Sequence, residues 1–166
     1  PALAQSGIGQ NDVSSTPLQM AMVAAAVANE GRIMAPRVVQ DVRDGNNDVV
    51  EDPEPREWRR AVPPEVADTL RRGMIGVVEG GTARNLAIPG FEVGGKTGTA
   101  QLGTSPPRSH AWIIGFAGVP GQPSSVAVAV IVEGQPGASE QTGGQVAAPI
   151  ARAVMETVLA AQGAGS

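Results

Sequence analysis

Gly94-Gly95-Lys96-Thr97-Gly98-Thr99-Ala100 is the stretch that decides how this chain is read. It contains the sole lysine of the sequence, set among three glycines, while arginine carries the remaining positive charge. A lone ammonium on so bare a segment is not what packing alone calls for. Phe91–Gln101 around it reads as a strand, and Leu102–Ser109 as a Pro/Gly/Ser loop. Two further strands are expected, Ala111–Gly118 and Val126–Val132, joined by the turn Pro120-Gly121-Gln122-Pro123. Val126, Val128, Val130 and Val132 share one face of the last strand; Ala127, Ala129 and Ile131 share the other. Both faces are apolar, which predicts a central strand covered on both sides, with a helix packed close on the smaller face.

Helices are expected on either side of this block. Residues 1–15 are small and polar and read as a loop. Thr16-Pro17-Leu18-Gln19 is a helix start with a cap, a proline where no N–H is needed, and a capping-box glutamine. That helix is expected to run to about Glu30, to stop at Gly31, and to be buried nearly all round. Residues 36–52 read as a surface hairpin, with Arg37–Val42 and Asp48–Glu51 about the turn Asp44-Gly45-Asn46-Asn47. Asp52–Arg60 reads as a charged linker. Pro63-Pro64 opens a second helix with a stripe of Val66, Leu70, Met74 and Val77/Val78, ended by Gly80-Gly81. Gly73 and Gly76 within it suggest a close neighbour. After a loop from Gly134 to Gly144, a last helix, about Ala147–Ala161, repeats Ile150, Val154 and Val158. Residues 1–162 are read as one α+β unit and 163–166 as a frayed tail, with Gln162 at the junction.

The 166 residues suffice for one domain with a real core. Two Trp, two Phe and no Tyr make that core mostly aliphatic. A net charge of −4 and no basic stripe argue against a nucleic-acid partner. The absence of cysteine excludes disulfides and thiolate metal sites, and a single histidine excludes a multi-histidine site. No metal and no cofactor are expected. The longest apolar runs, Met20–Ala28 and Val126–Val132, are too short to cross a bilayer, and no cleavable signal is visible. The abrupt start at Pro1 raises the expectation of an upstream part.

Three readings of the lysine stretch compete. Gly90 to Thr97 matches the phosphate-binding pattern G-x-x-x-x-G-K-[ST], yet no apolar helical period follows Thr97 to supply the helix N-terminus that motif needs. A second reading is an edge strand whose solvated lysine discourages aggregation. In a third, Lys96-Thr97-Gly98 resembles the Lys-Thr-Gly motif of penicillin-recognising serine enzymes. Its chemistry gives each residue a task. The edge can pair with an incoming peptide backbone. Gly98 permits close approach. Lys96 supplies positive charge for a substrate carboxylate, the hydroxyls of Thr97 and Thr99 can hydrogen-bond it, and the Thr99 backbone N–H can face a developing oxyanion.

Context favours the third. Gly7-Ile8-Gly9-Gln10, Ser15-Thr16-Pro17-Leu18-Gln19-Met20-Ala21 and Ala28-Asn29-Glu30-Gly31 closely resemble the segment that class B penicillin-binding proteins carry upstream of their Lys-Thr-Gly strand. Glu79-Gly80-Gly81-Thr82-Ala83 is similar to the turn after the intervening helix in that family. His110-Ala111-Trp112-Ile113-Ile114-Gly115-Phe116-Ala117-Gly118 resembles the strand that follows. The resemblance spans about residues 6–133, and the last helix fits it.

The resemblance implies the C-terminal part of a β-lactamase/transpeptidase-like fold: an antiparallel sheet, three of its strands here, covered by helices on both faces. It implies a peptidoglycan D,D-transpeptidase that works through an acyl-serine and is acylated by β-lactams. The implied catalytic groups are Lys96 and the Thr99 N–H, and the implied substrate- and β-lactam-binding residues are Thr97, Gly98 and Thr99. The family also needs S-x-x-K and S-x-N. Val93 stands three residues before the sole lysine, and no serine has Asn or Asp two residues later, so neither motif occurs in these residues. The implied partner is an N-terminal portion of the same protein carrying both. Other implied partners are the stem peptide, β-lactams, and cell-wall synthesis or division proteins. The implied location is the extracytoplasmic side of a bacterial plasma membrane, anchored through that N-terminal portion. A serine β-lactamase or a β-lactam sensor shares the fold and the motif, and a non-catalytic interaction domain stays open. His110 and Trp112 read as structural, Gln10 as a turn residue, and the acids of Asp41–Glu57 as a solvated surface.

Overall fold

The computed structural model describes residues 2–10, 13–105, 107–135 and 142–163. Ala2–Gly7 is a short helix, α1, where a loop was expected. Ala, Leu and Gln are strong helix formers, and the breaking glycines come only at its end, where Gly9 turns the chain at φ +76°. Helix α2 spans Pro17–Ala28. Its start is as expected: the Gln19 N–H donates to Thr16 Oγ1 (3.2 Å) and the Thr16 N–H donates to Gln19 Oε1 (2.8 Å). It stops two residues early because Glu30 and Gly31 both take positive φ, and the Gly31 N–H closes the end on the Ala26 carbonyl. Nor is α2 buried all round. Ala24, Ala26 and Val27 are buried, while Leu18 and Val23 are exposed.

Four short strands follow: β1 (Arg32–Met34), β2 (Val42–Arg43), β3 (Val49–Glu51) and β4 (Glu57–Arg60). The β2–β3 hairpin lies where one was expected, but residues 37–41 stay outside it. The supposed linker contains β4, which pairs antiparallel with β1. Charged Glu57, Arg59 and Arg60 hid that strand, because all four of its residues are exposed and no alternation is needed. Helix α3, Pro64–Glu79, ends at Gly80 as expected. Its buried positions are Ala67, Met74 and Val78, while Val66 and Leu70 face outward. A Cβ on Gly73 or Gly76 would meet nothing within 4 Å, so neither marks a close neighbour.

The sheet consists of β5 (Glu92–Gln101), β6 (Ser109–Gly118) and β7 (Val126–Val132), antiparallel in that order. Among the described residues β6 lies between β5 and β7, and β7 is covered on both faces as its sequence demands. Val128 packs with Ala148, Ala151, Met155 and Leu159 of the last helix, α4 (Ala148–Gly163), which is preceded by a π-helical turn, Gly143–Ala147. Ala127 and Ala129 pack on the other face against Ala24 and Val27 of α2, joined by Met74, Ile114 and Phe116. The alanine face thus takes the close helix. The buried stripe of α4 is Ala148-Ala151-Met155-Leu159, displaced by one position from the expected set; Ile150 and Val154 are exposed. The small alanines let the helix axis approach the bulky valine face, a fit that β-branched side chains would prevent. Gln162 and Gly163 belong to α4; the rest of the expected tail lies outside the described residues.

Candidate active site

The Lys-Thr-Gly stretch lies on β5, which pairs with β6 along one edge and has no strand on the other among the described residues. Its first two glycines are packing residues. A Cβ on Gly94 would lie 2.2 Å from the Phe116 ring, and one on Gly95 would lie 2.5 Å from a Leu86 methyl. These positions are buried, and exposure begins at Lys96. The strand thus emerges from the core as the motif begins.

Side chains alternate along a strand, so Lys96 and Gly98 share the face of Ile114 and Trp112, their cross-strand neighbours, while Thr97 and Thr99 share the face of Ile113 and Ala111. Lys96 is exposed, and its Nζ donates to the Thr97 carbonyl at 2.6 Å. Among the described residues no ion pair involves it, so no carboxylate there neutralises its charge. A Cβ on Gly98 would stand 3.2 Å from Trp112 Cβ, so a larger residue there would crowd Trp112 as well as fill the approach.

The opposite face carries a support that the sequence did not announce. Thr82 Oγ1, in the turn after α3, lies 2.8 Å from Thr97 Oγ1. Asn85 Nδ2 donates to the Gly144 carbonyl at 2.8 Å. A Cβ on Gly143 would sit 1.9 Å from the Trp112 carbonyl oxygen, and one on Gly144 would sit 2.1 Å from that of Thr82. The π-helical turn is therefore wedged between the Thr82 turn and the β5–β6 pair, and only glycine fits the wedge. The signal for it in the sequence is Gly80-Gly81-Thr82-Ala83, in which a hydroxyl follows directly on the glycines that end α3.

Gln10 is the other addition. Its Nε2 donates to the Thr99 carbonyl at 2.9 Å across 89 residues of sequence. Its backbone N–H also donates to the Gln5 carbonyl, so the turn role holds beside the new one. His110 Nδ1 accepts from the Gly134 N–H at 3.1 Å, tying the start of β6 to the segment beyond β7, which is a structural task. Trp112 is half-buried beneath Gly98. Between residues 41 and 57 the described acids are exposed or paired with arginine, as Asp41 is with Arg43. Among the described residues no cluster of His, Cys, Asp and Glu could hold a metal. The chain continues past Lys96-Thr97 as strand to Gln101, so no helix N-terminus follows to cradle phosphate and the nucleotide-binding reading fails.

Residues 1–156 match the family model described as the penicillin binding protein transpeptidase domain. The chain is 45% identical over 160 residues to the peptidoglycan D,D-transpeptidase PbpA of Mycolicibacterium smegmatis, covering 95% of this chain and 32% of that protein. It thus spans about a third of the length of the curated relatives it matches. Penicillin-binding protein A from M. tuberculosis, solved as a ceftriaxone acyl-enzyme complex, superposes with a TM-score of 0.81 at 43% identity, covering 95% of this chain and 35% of that one. The same protein as an imipenem acyl-enzyme complex gives 0.77 at 44% identity, covering 93% and 34%. These neighbours bear out the α+β transpeptidase fold expected from the motifs. The chain belongs to the penicillin-binding protein transpeptidase family, in its class B branch.

Proposed function

We propose that these residues form the Lys96 wall of a peptidoglycan D,D-transpeptidase active site. The observation that carries the reading is the emergence of a lysine with no ion-pair partner on a strand edge that no other strand covers, both among the described residues, inside a chain of this family. The nucleophile is a serine of an S-x-x-K motif, which residues 1–166 lack. Its Oγ attacks the carbonyl of the penultimate D-Ala of a stem peptide, and its proton passes to a base on the same missing motif. The carbonyl oxygen becomes an oxyanion that the Thr99 N–H stabilises. Collapse expels D-Ala, protonated as it leaves, and a neighbouring amine then takes the acyl group from serine and releases the enzyme. A β-lactam acylates the same serine.

Binding precedes this chemistry. Lys96 Nζ leaves the Thr97 carbonyl for the ligand's carboxylate, a stronger acceptor. The Thr97 hydroxyl, held by Thr82, and the Thr99 hydroxyl share the carboxylate at the strand edge, and Gly98 keeps the approach open. The alternation of faces suits this division: one side of β5 brings charge and the other brings hydroxyls. The names of the relatives favour a transpeptidase over a β-lactamase or a sensor; slow deacylation of the acyl-enzyme supports that choice, and rapid turnover contradicts it. An extracytoplasmic place at a bacterial membrane follows from the substrate. No described helix is long and apolar enough to cross a membrane, so the proposed anchor is outside these residues.

The test is to add a fluorescent penicillin to the chain alone and to the chain joined with the polypeptide that precedes it in the whole protein. Label only on the joined form, at a serine outside residues 1–166, is expected. Label on this chain alone, or none on either, overturns the reading.

A further inference from the structure

Carbonyls two residues apart on a strand point to the same side, so those of Thr97 and Thr99 share an edge of β5. Both already accept a side-chain hydrogen bond: Lys96 Nζ, from β5 itself, donates to Thr97 O at 2.6 Å, and Gln10 Nε2, from the segment after α1, donates to Thr99 O at 2.9 Å. An extended ligand that adds to this edge must present its own amide N–H to one of these carbonyls. The two caps differ in what happens next. A ligand carboxylate draws the ammonium away, but the neutral amide of Gln10 gains much less from that anion than a cation does. Gln10 is held in place by its own backbone bond to Gln5 and sits beside Ile8 and Gln101 in an open groove.

We infer that Gln10 is a specificity-determining residue that competes with the ligand's amide N–H for the Thr99 carbonyl. Ligands that place an acylamino N–H along the strand must displace it or share its acceptor in poorer geometry. Ligands without that donor bind past it unhindered. The inference rests on the reading of β5 as the substrate edge. It makes selectivity a property of a loop 89 residues away from the strand in sequence.

The experiment compares ceftriaxone, which carries an acylamino N–H, with imipenem, which carries a hydroxyethyl group in its place. Second-order acylation rates of the complete protein are measured for the parent, Gln10→Ala and Gln10→Met, the last keeping the side-chain length without the donor. The ratio of ceftriaxone to imipenem rates is expected to rise about two- to tenfold in both variants, the scale of one net hydrogen bond. An unchanged or lowered ratio overturns the inference and leaves the transpeptidase reading standing. Failure of both drugs to acylate the parent overturns that reading, and the inference with it. A merely structural Gln10 would slow both drugs alike and leave the ratio where it was.

Discussion

Thr97 is oriented by a hydroxyl fifteen residues upstream, Thr82 Oγ1, rather than by anything on its own strand. A threonine hydroxyl rotates freely unless a partner fixes it, and one that must meet a carboxylate works best when its lone pair is already engaged. Thr82→Val keeps the shape and removes the partner. Acylation of the complete protein by a penicillin is expected to slow about two- to tenfold, the scale of one net hydrogen bond, and Thr82→Ser should restore most of it. Stopped-flow acylation rates would check this; equal rates in parent and Thr82→Val would show that Thr97 needs no such support.

At the scale of the element, the turn Gly143–Ala147 is the least forgiving piece. A methyl on Gly143 would overlap the Trp112 carbonyl at 1.9 Å, and backbone cannot move aside as a side-chain tip can. Gly143→Ala should cost about 1–3 kcal/mol, seen as a lowered midpoint in urea, and should also slow acylation, since the wedge supports β5. On α4, Met155 is fully buried and Val154 is 44% exposed. Met155→Ala should cost about 2–5 kcal/mol and Val154→Ala less than about 1 kcal/mol. Equal costs would mean that the helix presents the other stripe. The sequence carried both stripes, and aliphatic size pointed to the wrong one. What decided was the fit of small alanines against a valine face, a property of the pair of surfaces and not of either alone. Similar physics hid β4, whose exposed charged residues pair with β1 without needing an apolar face. The core strands, by contrast, were legible to within two residues, because β6 and β7 are apolar runs bounded by turn residues.

For the whole molecule, most of what positions the candidate site was legible and what supports it was not. The lysine, its glycine-thinned strand and the two faces of β7 follow from local pattern. The contacts of Thr82 with Thr97, Gln10 with Thr99 and Asn85 with Gly144 join residues 15, 89 and 59 positions apart. No periodicity encodes such pairs; they exist only once α3 and the Gly143 turn close around the β5–β6 edge. The resulting wall has charge on one side, hydroxyls on the other and a bare backbone between, and residues 1–166 contain no S-x-x-K serine to face it.

That wall stands or falls with Lys96. The most direct measurement is the acylation of the complete protein by a fluorescent penicillin with Lys96→Ala beside the parent, each checked for an unchanged urea midpoint. The account predicts that the second-order rate falls on the order of tenfold to a hundredfold, the scale of a lost charge-assisted hydrogen bond. A variant that folds like the parent and acylates as fast would contradict it.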